Sequence, residues 1–173
     1  MHRLILPLVI AAIALPAVAG PTPLTIQLKG PTGADMGSAT LIEAPNGGVL
    51  MRIEARGLTP GWHGLHFHEK ADCSSADFKS AGGHVHRDAP GVHGLLNPLA
   101  TETGDLPNLF AGADGVAKAE MFTWSVSLTT ARRSPLFDGD GSALVIHAAP
   151  DDHLSQPIGG AGARVACAVI KAP

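Results

Sequence analysis

From residue 69 to residue 107 the chain carries neither a helical nor a strand period, and the segment is rich in Gly, His, Pro, Asp and Asn. A loop of that length inside a compact domain has to be functional or held by something other than its own secondary structure. Short strands surround it. Leu24 to Lys29 alternates apolar and polar residues, and Ala39 to Ala44 reads as a second strand. Asn46-Gly47-Gly48 turns the chain back. Val49, Met51, Ile53 and Ala55 then face one way, with Arg52, Glu54 and Arg56 facing the other. Trp62 to His68, Val116 to Phe122, Val126 to Leu128, Ala143 to His147 and Arg164 to Ile170 complete the strand set, and a second irregular loop spans 148 to 162. No segment has a convincing helical period. The pattern specifies an all-β antiparallel sandwich or flattened barrel with two long functional loops.

With 173 residues, 45% hydrophobic and 16% charged, the chain can enclose one core. Aromatic residues make up 4%, there is no Tyr, and the net charge is −3, which argues against a nucleic-acid partner. The start reads as an export signal: His2 and Arg3, then an apolar run from Leu4 to Leu15, then Ala17-Val18-Ala19 at the cleavage positions. Pro7 and Pro16 interrupt the run, which is too short to span a bilayer. The reading is therefore a signal peptide over 1–19 and one domain over 20–173. The product is periplasmic or secreted and keeps no membrane anchor. Two cysteines, Cys73 and Cys167, invite one disulfide in an exported protein.

Nine histidines are present, and apart from His2 all but one lie between His63 and His147. His66 and His68, two apart on a strand, point to one face, which leaves Leu65 and Phe67 for a core. His84 follows Gly82-Gly83, His93 and Asp105 lie further along the same loop, and His147 ends an apolar strand where a bare imidazole is costly to bury. A long aperiodic loop with that content fits one ordered by a metal ion. Spacing alone supports a His-rich metal site in a β domain and does not identify a reaction.

The motifs go further. GWHGLHFHEKADC, SAGGH, HGLLNP with GDLPNL, DGSALVIHAAPDD and GGAGARVACAVI run in order along the chain. Together they resemble the copper/zinc superoxide dismutases, especially the exported bacterial ones. That resemblance implies a Greek-key barrel, copper and zinc as cofactors, and superoxide as substrate. It implies copper ligands His66, His68, His84 and His147, with His84 bridging to zinc. The matching zinc ligands are His84, His93 and Asp105. Arg164 falls where the family has the arginine that guides the anion, and Asp151 matches the carboxylate linking ligands of the two metals. Cys73 and Cys167 match the intrachain disulfide, and His63 matches a structural histidine. In the implied reaction copper takes an electron from one superoxide and gives it to a second, while His84 carries a proton.

Three departures stand out. Glu102 occupies the position of the family's remaining zinc histidine, so the expectation is a zinc site weakened at Glu102, with His86 or water as other sources of a fourth ligand. His86, in Val85-His86-Arg87, replaces part of an aromatic-Asn/Asp-Pro run. No Lys or Arg stands in the second loop before Arg164, so Lys70 and Lys79 are the other candidates for steering charge. His153 reads as a surface residue. The rival readings are a copper-only dismutase and a dismutase-like domain that binds or buffers copper without efficient turnover. A metal-free structural domain leaves the histidines unexplained. Oligomeric state is not encoded in any self-complementary patch.

Overall fold

The computed structural model describes residues 20–45, 47–129 and 133–173, so the expected signal at 1–19 lies outside the described residues. The strands are β1 (Leu24–Lys29), β2 (Asp35–Glu43), β3 (Val49–Ala55), β4 (Gly61–His63), β5 (Leu65–His68), β6 (Leu109–Ala111), β7 (Ala117–Thr123), β8 (Val126–Ser127), β9 (Ser134–Pro135), β10 (Ser142–His147) and β11 (Arg164–Ile170). Lys79–Ala81 forms a single 3-10 turn. Seven strands make one curled antiparallel sheet in the order β5-β10-β11-β1-β2-β3-β7, and β4-β6 and β8-β9 form small pairs. The crossovers between non-consecutive neighbours are those of a Greek-key barrel. Among the described residues no helix is long and apolar enough to cross a membrane.

Alternation on β1 to β3 buries Ile26, Leu28, Ala39, Leu41, Val49, Met51, Ile53 and Ala55. These pack with Leu65, Phe67, Leu144 and Ile146 from the other half of the sheet, and with Leu106 and Leu109. Every residue of β10 is buried, which explains its unbroken apolar run. Its inner residues join the main core. Ala143 and Val145 on its outer side pack under Phe78, Ala81 and Cys167. That outer cover is the start of the long loop, tied down by the Cys73–Cys167 disulfide across 94 positions of sequence. On the chain-entropy model a closure of this length contributes roughly 4–5 kcal/mol.

The expected strand Trp62 to His68 is two strands broken at Gly64. The Gly64 N–H donates to the Ala149 carbonyl at 2.8 Å, and its own carbonyl accepts from His147 at 2.8 Å. The break therefore fastens β5 to the beginning of the second loop. Strand β6 was not anticipated. It pairs with β4 through Trp62 opposite Phe110, whose rings meet edge-on at 4.9 Å.

The long loop is held by backbone bonds along the free edge of β5. Val85 N–H donates to the Phe67 carbonyl at 2.9 Å, and Phe67 N–H donates to the Gly104 carbonyl at 2.8 Å. Isolated bridges set His84 opposite His68, Asp105 opposite His66 and Glu102 opposite His86. Gly104 is required there, because a Cβ would lie 2.3 Å from the Phe67 carbonyl oxygen.

Candidate metal centre

Strand period, strand register and the returning loop bring His66, His68, His84 and His147 together. All four are buried, and their ligand atoms lie within 4.8 Å of one another. The hydrogen bonds fix which nitrogen is available. His68 Nδ1 donates to the Gly82 carbonyl at 3.0 Å and His147 Nδ1 to the Gly162 carbonyl at 3.1 Å, which leaves Nε2 of each ring as a lone pair. His66 does the reverse: its Nε2 donates to Asp151 Oδ2 at 2.7 Å, leaving Nδ1. His84 turns Nδ1 toward carboxylates and leaves Nε2. Those four atoms, His66 Nδ1, His68 Nε2, His84 Nε2 and His147 Nε2, are buried without a hydrogen-bond partner. Three of them carry lone pairs and the fourth, on the His84 ring that the carboxylates keep protonated, turns to the same point; four partnerless nitrogens so placed are costly unless a ligand takes them up. An all-imidazole set of this kind suits copper.

Electrostatics keeps three of these rings, His66, His68 and His147, ready to coordinate. Burial pushes His147 down to about 3, aided by the neighbouring His66. Burial also holds His68 well below the ordinary imidazole value. His66 is lowered by burial against the opposing pull of Asp151. Neutral imidazoles are the form that binds metal.

A second group adjoins the first through His84. His84 Nδ1 lies 2.8 Å from Glu102 Oε2 and 2.9 Å from Asp105 Oδ1. His93 Nδ1 lies 3.0 Å from Glu102 Oε2 and 2.9 Å from Asp105 Oδ2. Two imidazoles and two carboxylates thus converge, with the Glu102 side chain only 10% exposed. The structure does not leave Glu102 in solvent. A tetrahedral zinc site has donor separations of about 3.3 Å, so this group fits zinc after an expansion of a few tenths of an ångström. Here the charge logic is opposite. Burial disfavours the His93 cation, but hydrogen bonds to Asp105, Asp151 and Glu102 outweigh it and push the ring up to about 11. Burial likewise opposes the His84 cation, and Asp105 and Glu102 overcome it. Protons occupy the place a dication would take. His66 also comes within 4.8 Å of His84, His93 and Asp105. Its Nε2 is committed to Asp151 and its Nδ1 is partnerless, so its chemistry belongs with the imidazole group.

Asp151 joins the groups a second time. Its Oδ2 accepts from His66 Nε2 at 2.7 Å and its Oδ1 from His93 Nε2 at 3.0 Å. Burial opposes its charge, but those two donors and the His153 N–H hold the carboxyl well below the usual range. Gly159, with φ 60°, leaves space for it; a Cβ there would lie 1.7 Å from Asp151 Oδ1.

His86 stands apart from both groups. Its Nδ1 donates to the His84 carbonyl at 2.9 Å, and its ring lines a surface cavity with Arg87, Arg133 and Asp138. His63 lies between the carbonyls of His147 (2.7 Å) and Thr59 (2.8 Å), a structural placement. Arg164 sits opposite His147 across the β10–β11 pairing. Its Nη1 and Nη2 donate to the Phe78 and Gly82 carbonyls, each at 2.6 Å. Its charge is close enough to disfavour protonation of His68 and His147. It opens on a cavity of about 630 Å³ lined also by Asp77, Lys79 and Ile158, with Lys79 paired to Asp77 at 3.0 Å. Lys70 is absent from that lining.

One expectation is corrected: His153 is not a surface residue. Its side chain is 19% exposed, and its ring packs beside Asp151. Sequence reading also missed Asn108, which clasps the Asp151 backbone at 2.8 and 2.9 Å. Its position inside GDLPNL was the available signal.

Residues 36–170 match the model of the family described as copper/zinc superoxide dismutase. The copper/zinc superoxide dismutase of Caulobacter vibrioides is 61% identical over 148 residues, 85% of this chain and 84% of that protein. A crystal structure of a double mutant of a superoxide dismutase-like protein from Bacillus subtilis superposes with a TM-score of 0.80 at 38% identity, covering 86% of this chain and 97% of that one. The Cu/Zn superoxide dismutase from Brucella abortus superposes with a TM-score of 0.68 at 31% identity, covering 87% and 100%. The chain belongs to the copper/zinc superoxide dismutase family.

Proposed function

We propose that this chain dismutates superoxide to oxygen and hydrogen peroxide at copper held by His66 Nδ1, His68 Nε2, His84 Nε2 and His147 Nε2. Zinc is held beside it by His84, His93, Asp105 and Glu102. Family membership alone does not carry the activity, because one relative, 38% identical, is named a superoxide dismutase-like protein. The observation that carries it is the set of four buried, partnerless imidazole nitrogens. Bound copper supplies the one-electron chemistry, oxidising one superoxide and reducing the next, and zinc supplies a fixed charge.

The chain's own residues do the rest. His68 and His147 are locked in one tautomer by Gly82 and Gly162, so their lone pairs need no rearrangement. His84 has Nδ1 turned to Glu102 and Asp105, so Nε2 is the atom at which it can hold and release a proton. Arg164 presents a permanent positive charge at the mouth of the cavity, anchored by two carbonyls rather than an ion pair, and so draws the anion inward. We infer further that residues 1–19 direct export and that 20–173 is the exported domain. The disulfide and the bacterial relatives support an oxidising compartment outside the cytoplasm.

His147→Ala tests the reading. It should abolish copper retention and superoxide consumption together, with the disulfide intact. Full activity in a copper-free preparation, or in His147→Ala, would overturn it.

A further inference from the structure

His153 lies two residues beyond Asp151 in the second loop, with φ 62°. This left-handed conformation is uncommon outside glycine, with Asn, Asp and His the residues that adopt it most readily, and here it folds the chain back on Asp151. The His153 N–H donates to Asp151 Oδ1 at 2.6 Å. Its carbonyl accepts from Leu96 N–H in the long loop at 3.1 Å. Its ring adds more. Asn108 Oδ1 accepts the Asp151 N–H, which fixes the amide orientation and makes Nδ2 the donor. Asn108 Nδ2 lies 3.3 Å from His153 Nε2, so that ring atom is the acceptor. The proton is therefore on Nδ1, which is buried, makes no hydrogen bond, and lies 3.5 Å from Asp151 Oδ2.

The Asp151 carboxylate accepts three hydrogen bonds, from His93 Nε2–H and the His153 backbone N–H at Oδ1 and from His66 Nε2–H at Oδ2, and the His153 Nδ1–H stands 3.5 Å from Oδ2 on the side left open. With fewer donors the carboxylate could rotate and free one of the two ligand rings. We propose that His153 is a positioning residue: held by Asn108, its imidazole pins Asp151 so that one carboxylate fixes the ring orientation of a ligand in each metal group. This inference rests on the copper/zinc reading of the site.

Its test uses the full exported domain, His153→Ala and His153→Asn. Asn tolerates the left-handed backbone and carries an amide N–H near the position of Nδ1; Ala carries none. Partners of metal-ligating histidines typically contribute 10–100-fold to affinity. One step further out, His153→Ala should release zinc to a chelator about tenfold faster, with a shifted Cu(II) electron paramagnetic resonance spectrum. His153→Asn should restore both toward wild type. Unchanged zinc release in His153→Ala, or equal loss in the Asn variant, would overturn the proposal. Nitrogen-15 shifts of the metal-free wild-type protein give a readout that needs no variant and no copper. They should show His153 protonated at Nδ1 and bare at Nε2, and the opposite tautomer would overturn the proposal even if copper binding and dismutation stand. Failure of the wild type to bind copper would instead sink the functional reading, whatever the tautomer.

Discussion

Glu102→Gln separates zinc binding from copper binding. Glu102 Oε2 lies 2.8 Å from His84 Nδ1 and 3.0 Å from His93 Nδ1, in a side chain almost removed from water. With Asp105 it supplies the second negative charge that balances a zinc dication. Gln keeps the shape and removes the charge. Deleting a partner of a ligand costs 10–100-fold in affinity, so weakening a ligand itself should cost about a hundredfold or more. That corresponds to about 2.7 kcal/mol. At fixed free zinc, zinc-dependent stabilisation falls by the same amount. For a domain of this size that lowers Tm by about 5–10 °C. Copper occupancy should not change, because its four nitrogens make no contact with Glu102. Chelator competition, metal analysis and calorimetry with and without zinc check all three points. Zinc retention equal to wild type would refute the assignment of Glu102 as a ligand. An equal Tm loss without zinc would make Glu102 a residue of the fold. Glu102→His, which restores the family's usual residue, should hold zinc at least as firmly as wild type.

Replacing Arg164 with Glu should slow superoxide consumption about tenfold or more at low ionic strength and invert its salt dependence, with copper still bound; equal rates at low salt would remove Arg164 from anion guidance. Proton release distinguishes the two metal groups. At pH 6 His93, pushed up to about 11, and His84, also raised, carry protons that zinc must displace, whereas His147, pushed down to about 3, and His68 carry none. Zinc loading should therefore release about two protons, and later copper loading about one, from His84 Nε2. Calorimetry in buffers of different ionisation enthalpy reads this, and three or more protons per copper would contradict it. The stability signs follow. The raised value of His93 stabilises the metal-free fold below about 6.5 and is lost as pH rises toward about 11. The depressed value of His147 acts oppositely, costing stability as pH falls from 6.5 toward about 3.

The strands were legible where one face is buried and the other wet. Val49 to Ala55 reads correctly because alternation is itself the record of which side meets the core. The break at Gly64 was not legible, because its cause is a hydrogen bond to Ala149, far away in sequence. Strand β6 has three residues, one of them the exposed Phe110, too few to show a period. His66 and His68 were paired by the two-residue repeat alone. The placing of Glu102 was not, since its direction depends on the loop returning to set it opposite His86. His153 was misread for a related reason: a charged-looking loop sequence, Asp151-Asp152-His153, resembles a solvated turn until Asn108 arrives from another segment to fix the ring.

The two metal groups are joined twice, and the joints differ in kind. His84 belongs to both groups through its two nitrogens, while Asp151 touches one histidine of each through the nitrogen turned away from that group. Emptying the zinc group therefore removes no copper ligand. It releases His84 Nδ1 and His93 Nδ1 to be protonated between Glu102 and Asp105, and this keeps the rings close to their liganded positions because protons and a dication satisfy the same two imidazoles and two carboxylates. The backbone bridges from His84 to His68 and from Asp105 to His66 hold independently of any ion. Zinc loss should thus reach copper as a small rotation of His84 and His66, visible in the Cu(II) spectrum, and not as loss of the metal. The carboxylates, by neutralising two imidazolium charges, let the copper-side imidazoles remain neutral beside them.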